Sequence, residues 1–313
     1  MKKILITGGL GNLGSWLSEY FYHQGCEVNI LSKNQRKLES NLKYRLIQCD
    51  IANIEDCKKQ LSEEHFDYIV HAASVNDNFV PGYPELALNV NAFGTRNLLE
   101  VFKDKKIKSF IYFSTFQVYG KYDGSITEET SLTSKNDYGT THLFAEYYVK
   151  QFGYTHNLPH TIVRLTNSYG CPKDYNSSKW YLILNDLSKT AFEKEEIILK
   201  SNGQAPRDFI WMGDVCAIVE KLINNEASNS IYNLSGEKTF KMIDIANYVK
   251  EAYKSYFGKE IEVKVNLEDK TKYPEDLFVS SKKLKSFIGD YKAEPKFIEE
   301  AKSIFEFLSK VNK

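Results

Sequence analysis

The sequence predicts an α/β fold: a doubly wound parallel sheet followed by a smaller C-terminal lobe. Three observations carry that expectation. A glycine-rich stretch, Thr-Gly-Gly-Leu-Gly-Asn-Leu-Gly at residues 7–14, stands between a short apolar run and a helical pattern. Strand-like and helix-like segments then alternate as far as residue 165. Beyond Pro172 the alternation weakens, as it does where a chain leaves one domain to build another.

Ile4, Leu5 and Ile6 form an apolar run of strand length, and Leu13, Trp16, Leu17, Tyr20 and Phe21 recur at helical spacing. The turn between them needs Gly8 where the backbone folds sharply, Gly11 where it approaches a pyrophosphate, and Gly14 where the helix packs close to the strand. With Asn12 and Leu13 these glycines would present free N–H groups to an anion at the positive end of the helix dipole. An ordinary tight turn also uses spaced glycines; the strand-to-helix junction is what favours a Rossmann-type nucleotide site.

Residues 27–31 read as a second strand and complete a βαβ unit of about thirty residues. An acidic residue just past that strand would hold the ribose 2′-OH of NAD. Here Ser32 and Lys33 follow, with Arg36 nearby, and they suit the 2′-phosphate of NADP, NAD remaining the alternative. The plainer reading of the same residues is a solvated basic turn.

Residues 45–49 form a third strand ending at Asp50 and Ile51, residues 56–61 a helix, and residues 68–70 a fourth strand running into His71-Ala72-Ala73-Ser74. Small residues there would let the nicotinamide half of a cofactor pass close to the backbone, or simply let a helix pack. Residues 84–102 read as one long helix, apolar enough to be buried or shared with a partner subunit. A fifth strand at 108–113 enters Ser114-Thr115-Phe116-Gln117-Val118-Tyr119-Gly120, a helix starts at Asp137 and runs to about 153, and residues 161–164 form the next strand. Residues 207–211 and 231–234 look strand-like around a helix at 214–224, and 242–256 and 295–308 look helical. The expected division is a dinucleotide-binding domain at 1–166 plus 207–235 and a substrate lobe at 167–206 plus 236–313.

The 313 residues carry 41 basic and 41 acidic side chains, which argues against a nucleic-acid surface. A hydrophobic content of 42% supports a large core, and no apolar run approaches a membrane span. The N-terminus lacks the features of a secretion signal, so a cytoplasmic location is expected. Five scattered cysteines fit reduced thiols better than disulfides or zinc, and Pro159 between His156 and His160 opposes a helical metal pair, so no metal is expected.

The order of the pieces is Gly-x-x-Gly-x-x-Gly, Asp50-Ile51, His71-Ala72-Ala73, Asn91-Ala-Phe-Gly-Thr, Ser114-Thr115-x-x-Val118-Tyr119-Gly120, Tyr138, Arg164-Leu-x-Asn167-x-Tyr169-Gly170 and Arg207-Asp208-Phe209-Ile210. This series resembles the extended short-chain dehydrogenase/reductase family, whose members modify nucleotide-linked sugars, and the resemblance covers almost the whole chain. It implies that Asp50 meets the adenine, with Ile51, Ala72, Ala73 and Asn91 lining the cofactor site. Thr115 would hydrogen-bond the sugar oxygen, and Tyr138 would pass a proton to or from it while hydride moves. Asn167 and Arg207 would hold sugar and diphosphate, and Lys272 lies where relatives place a second phosphate-binding Arg. The resemblance also implies a homodimer joined through the helices at 86–102 and 138–152.

Two departures matter. The family's Tyr-x-x-x-Lys reads Tyr138-Gly-Thr-Thr-His142, so His142 shares a helix face with Tyr138 and could still hydrogen-bond the nicotinamide ribose, but supplies no permanent charge. The acidic pair that sugar 4,6-dehydratases place after the Thr is Phe116-Gln117 here, and neither side chain transfers protons. The expectation is an NAD(P)-dependent reductase or epimerase of a nucleotide-linked sugar and not a 4,6-dehydratase. Its alternative is a non-catalytic dinucleotide-binding sensor or partner subunit.

Overall fold

The computed structural model describes residues 1–38, 42–76 and 82–311. In chain order the first half comprises β1 (Lys3–Thr7), α1 (Asn12–His23), β2 (Glu27–Ser32), β3 (Arg45–Gln48), α2 (Ile54–Leu61), β4 (Tyr68–His71), α3 (Tyr83–Ala87), a π-helical segment (Leu88–Gly94), α4 (Thr95–Phe102), β5 (Ser109–Thr115), a 3-10 turn (Phe116–Tyr119), β6 (Gly124–Ile126), α5 (Asp137–His156) and β7 (His160–Leu165). The second half adds β8 (Asn167–Tyr169), a 3-10 segment (Ser178–Tyr181), α6 (Ile183–Lys194), β9 (Ile197–Leu199), β10 (Pro206–Trp211), α7 (Met212–Asn224), β11 (Ser230–Leu234), β12 (Thr239–Lys241), α8 (Met242–Phe257), β13 (Val263–Val265), β14 (Leu277–Val279), α9 (Lys282–Ile288) and α10 (Phe297–Val311).

Seven strands form one parallel sheet in the order β11-β7-β5-β4-β1-β2-β3. The chain winds outward from β1 through β2 and β3, then returns to lay down β4 on the other side. The resulting switch point between β1 and β4 is where sheets of this kind bind ligands, beyond the carboxyl ends of the strands. The strands are apolar on both faces because helices cover both: Leu17 and Phe21 of α1 join Val215, Ile218 and Val219 of α7 on one side. Leu61 of α2, Leu98 and Phe102 of α4 and Val149 of α5 fill the other.

The long helix expected over 84–102 is interrupted. Between α3 and α4 the backbone widens into the π-helical segment, which holds Asn91 fully buried. Its side-chain amide donates to the Val75 carbonyl (3.1 Å) and to Thr141 Oγ1 (3.0 Å) and accepts from the Val75 amide (2.8 Å). The last residue of the segment is Gly94, where a Cβ would press into Ile51 at 2.8 Å.

A second core lies between α6, α8 and α10, with Leu184, Leu187, Ile245, Val249, Ile304 and Phe305 at its centre. β10, expected in the dinucleotide-binding part, pairs with β8 and β12 in a separate three-stranded sheet. α7 and β11, which follow it, return to the central sheet. Among the described residues no helix is long and apolar enough to cross a membrane.

Candidate active site

β1 delivers Thr7 to the switch point and the chain turns through the glycines into α1. Gly8 has φ +67°, and a Cβ on it would lie 2.8 Å from Ala73 Cα. Gly14 lies so close beneath the turn that a Cβ would strike the Gly8 carbonyl. Gly11 occupies the N-cap without a side-chain cap, and no acid stands in the first turn of α1. The end of the helix therefore offers its amides and its positive dipole to the cleft. Asn12 Oδ1 is buried there with no hydrogen-bond partner, as suits a donor arriving from outside the chain. The glycine cradle and the open end of the helix fit a dinucleotide pyrophosphate, whereas the orphaned oxygen suits a hydroxyl donor.

Gly8, Gly11, Asn12, Leu13, Gly14 and Ala72 line one end of a long cleft. Ala73 backs Gly8 and donates its amide to Thr7 Oγ1 (3.3 Å). Ser32, Lys33, Asp50 and Ile51 stand outside the residues lining this cleft, at the ends of β2 and β3. Ser32 Oγ accepts from the Asn34 amide (3.2 Å), and the Lys33 ammonium meets the Asp50 carboxylate at 2.7 Å. Arg36 reaches instead to Asp174 (2.9 Å). Ile51 is buried, its carbonyl accepting from Asn97 (2.8 Å). Asn91 uses its amide on Val75 and Thr141, so it holds the 72–76 loop in place.

At the other end of the cleft β5 ends in Thr115, whose Oγ1 accepts from the Gln117 amide (3.2 Å). Asn136 caps α5 by accepting from the Gly139 amide (2.8 Å) and donates to Gln117 Oε1 (2.7 Å). These caps put Tyr138 at the start of the helix facing Thr115, and both line the cleft. Tyr138 is partly buried, enclosed by the residues around the cleft. That enclosure raises the phenol pKa, against hydrogen bonds from Ser74 and Thr115 and the charge of Lys179, which lower it.

His142 lies one turn on and is 2% exposed. Its Nδ1 meets the Tyr112 hydroxyl at 2.7 Å, its ring stacks on Tyr112 at 27°, and its centroid is 4.5 Å from that of Tyr138. Its Nε2 is buried without a partner. Burial pushes its pKa down to about 3, so it is a neutral imidazole at pH 7. Behind these groups Arg164 of β7 grips Glu146 of α5 with two hydrogen bonds (2.9 and 2.7 Å), and Ser114 of β5 donates to the same carboxylate (2.5 Å). This buried pair fixes β5, α5 and β7 to one another where they carry Thr115 and Tyr138.

Asn167 and Arg207 line the cleft from β8 and β10. Asn167 donates to the Asp208 carbonyl (2.9 Å), and Arg207 donates to the Pro206 carbonyl (2.7 Å) with its guanidinium 5.3 Å from the Tyr122 ring. Lys272 is exposed between β13 and β14 and is not among the residues lining the cleft. The sequence reading missed Ser74, Tyr112, Lys179 and Tyr181. Ser74 was visible only as one more small residue after β4, and the other three carry no motif.

The sequence profile of the NAD dependent epimerase/dehydratase family matches residues 4–235. The chain is 25% identical over 273 residues to a dTDP-D-glucose 4,6-dehydratase of Dictyostelium discoideum, covering 80% of this chain and 62% of that relative's length. The fold is similar to that of the UDP-glucuronic acid 4-epimerase of Bacillus cereus, solved with NAD (TM-score 0.81, 20% identity, all of both chains covered). It is also similar to the UDP-glucose 4-epimerase of Thermotoga maritima, solved with UDP-glucose (TM-score 0.82, 20% identity, 99% of each chain covered). With its glycine cradle at the switch point and the profile matching most of its length, the chain belongs to the NAD dependent epimerase/dehydratase family.

Proposed function

We propose that the protein is a reductase of a keto group on a nucleotide-linked sugar, preferring NADPH over NADH. The observation that carries this reading is the Thr115–Tyr138 pair at the end of the cleft, with the phenol held in its protonated form by enclosure. A protonated Tyr138 is a general acid: it gives its proton to the carbonyl oxygen, Thr115 holds that oxygen, and the ring carbon becomes a carbinol. The bound dinucleotide supplies the hydride that this carbon receives. Asn167 and Arg207 are the proposed holders of the sugar and the diphosphate, Arg suiting a phosphate through its donor fork.

The preference for the phosphorylated cofactor is supported by Ser32 and Lys33 after β2, where a ribose-binding acid is missing. Arg36 pairs with Asp174 and Lys33 with Asp50, so a 2′-phosphate contact from Lys33, the one proposed, would be made in exchange for its pair with Asp50. Dehydration is disfavoured because Phe116 is buried against Tyr119 and Tyr122 and the Gln117 amide is held by Asn136. The assembly proposed is a homodimer. Phe93, Phe144 and Tyr147 are 43%, 45% and 55% exposed on one face shared by the π segment and α5, an apolar patch suited to a second copy. Light scattering should give the dimer mass, and a monomer at micromolar concentration would contradict it.

The enzymatic reading is tested with a panel of keto-sugar nucleotides and NADPH or NADH. Turnover should be seen with at least one substrate and should fall at least about a hundredfold in Tyr138→Phe. A second reading, a dinucleotide-binding protein without turnover, rests on the neutral His142; an inert wild type revived by His142→Lys would favour it.

A further inference from the structure

β5 turns alternate side chains to opposite faces of the sheet, Ile111 and Phe113 toward α1 and α7, Phe110 and Tyr112 toward α5. α5 in turn buries His142, Ala145, Glu146 and Val149 at helical spacing. Packing alone would be served at position 112 by an apolar ring, as Phe110 serves two residues earlier. Tyr112 carries a hydroxyl instead, 2.7 Å from His142 Nδ1, with the two rings stacked at 27° and the residues 1% and 2% exposed.

The direction of this hydrogen bond follows from its surroundings. Burial pushes the Tyr112 phenol well above its ordinary pKa, so the hydroxyl keeps its proton, and a buried O–H needs an acceptor. Thr95 also lies beside the hydroxyl, but its Oγ1 donates to the Asn91 carbonyl (2.6 Å) and meets His71 Nε2 (2.8 Å). His142 Nδ1 is the acceptor that remains, so the proton of this neutral imidazole sits on Nε2.

We propose that Tyr112 is a positioning residue for the acid: its hydroxyl donates to His142 Nδ1, fixes the His142 ring and its proton, and through that ring sets the Tyr138 phenol against Thr115. The effect on turnover rests on the oxidoreductase reading above. His142 and Tyr138 are one turn apart on α5, with ring centroids 4.5 Å apart and planes at 66°. A ring in that place is a wall for the phenol, and a wall positions only if it cannot swing. The outer torsion of a histidine side chain is broad and roughly two-fold, so packing leaves both faces of the ring available. The bond from Tyr112 selects one of them, because a flipped ring would bring carbon to the hydroxyl in place of Nδ1. Tyr112 is itself held from below: it lies on the His71 ring (5.5 Å, 34°), which is fixed between Thr7 and Thr95. A column of rings thus runs from the end of β1 to Tyr138, and the Tyr112 hydroxyl is the joint that sets its upper half.

The test uses the full-length protein with nitrogen-15 in its histidine rings and carbon-13 in its tyrosine rings, the signals assigned through His142→Leu and Tyr138→Phe. At pH 7 the wild type should show His142 in one neutral form with the proton on Nε2. Tyr112→Phe, which removes only the hydroxyl, should move both His142 nitrogens toward the average of the two tautomers and should shift the Tyr138 ring signal. In turnover it should lower kcat about tenfold and leave KM for the sugar nucleotide within about twofold. In a His142→Leu background the same change should alter kcat by less than about twofold, because the ring that Tyr112 holds is gone. A wild-type proton on Nδ1, a His142 tautomer or a Tyr138 signal unmoved by Tyr112→Phe, or an equal kcat loss in the His142→Leu background overturns the proposal. Failure of the oxidoreductase reading would show separately, as an inert wild type or an active Tyr138→Phe variant, since the ring signals need no turnover.

Discussion

Two histidines are sealed beneath the site, and their surroundings decide their charge. Thr95 Oγ1 donates to the Asn91 carbonyl (2.6 Å), so it accepts from His71 Nε2 (2.8 Å), which leaves His71 Nδ1 to accept from Thr7 (2.5 Å). His71 is thereby a neutral imidazole with the proton on Nε2, and burial pushes its pKa down to about 3, as it does for His142. An unfolded histidine titrates near ~6.5, so between that pH and 3 the unfolded chain binds two protons that the folded chain refuses. Stability is therefore complete above pH 6.5 and is lost as the pH falls toward 3. Denaturant midpoints measured from pH 7 to 4 should decline, and His71→Gln should flatten the decline while lowering the value at pH 7. An equal slope in wild type and variant would contradict this. The sequence showed His142 one turn from Tyr138, and that was enough to question its charge. Its partner Tyr112 was invisible, because only the β5–α5 packing brings residues thirty positions apart within hydrogen-bond distance.

At the scale of elements, the buried Glu146–Arg164 pair joins α5 to β7 with both side chains almost wholly excluded from water, 0% and 2% exposed. Removing one partner strands the other charge in the interior. Arg164→Met should cost about 3–5 kcal/mol of unfolding free energy, and adding Glu146→Leu should recover part of it, since a matched apolar pair carries no desolvation penalty. Urea unfolding of the three proteins checks this, and a double variant weaker than the single would contradict it. The central strands and the helices between them were legible because burial on both faces leaves long apolar runs. The π segment was not: its apolar spacing is that of a plain helix, and what widens it is the fit of Asn91 to the 72–76 loop, a tertiary demand. The small strands β6, β8, β9, β12, β13 and β14 are each three residues long, too short for a periodicity to show.

At the scale of the molecule, the sheet order places the glycine cradle, the 72–76 loop and the ends of β5 and α5 around one cleft, and the second lobe closes it with the 3-10 segment, β8 and β10. The glycine end was readable because the positive φ of Gly8 and the close packing of Gly14 admit no side chain, and the sequence records that constraint. The other end was not, because it is lined by side chains such as Lys179 and Tyr181 that come from outside any motif. The proposed reaction moves a hydride between a nicotinamide and a ring carbon in this cleft, with Tyr138 giving the proton. The most direct measurement uses NADPH deuterated at the transferred position and reads the sugar product by mass spectrometry. The wild type should give a product carrying one deuterium at the former carbonyl carbon, and Tyr138→Phe almost none. Binding of the dinucleotide with no deuterium transferred to any keto-sugar nucleotide would contradict it.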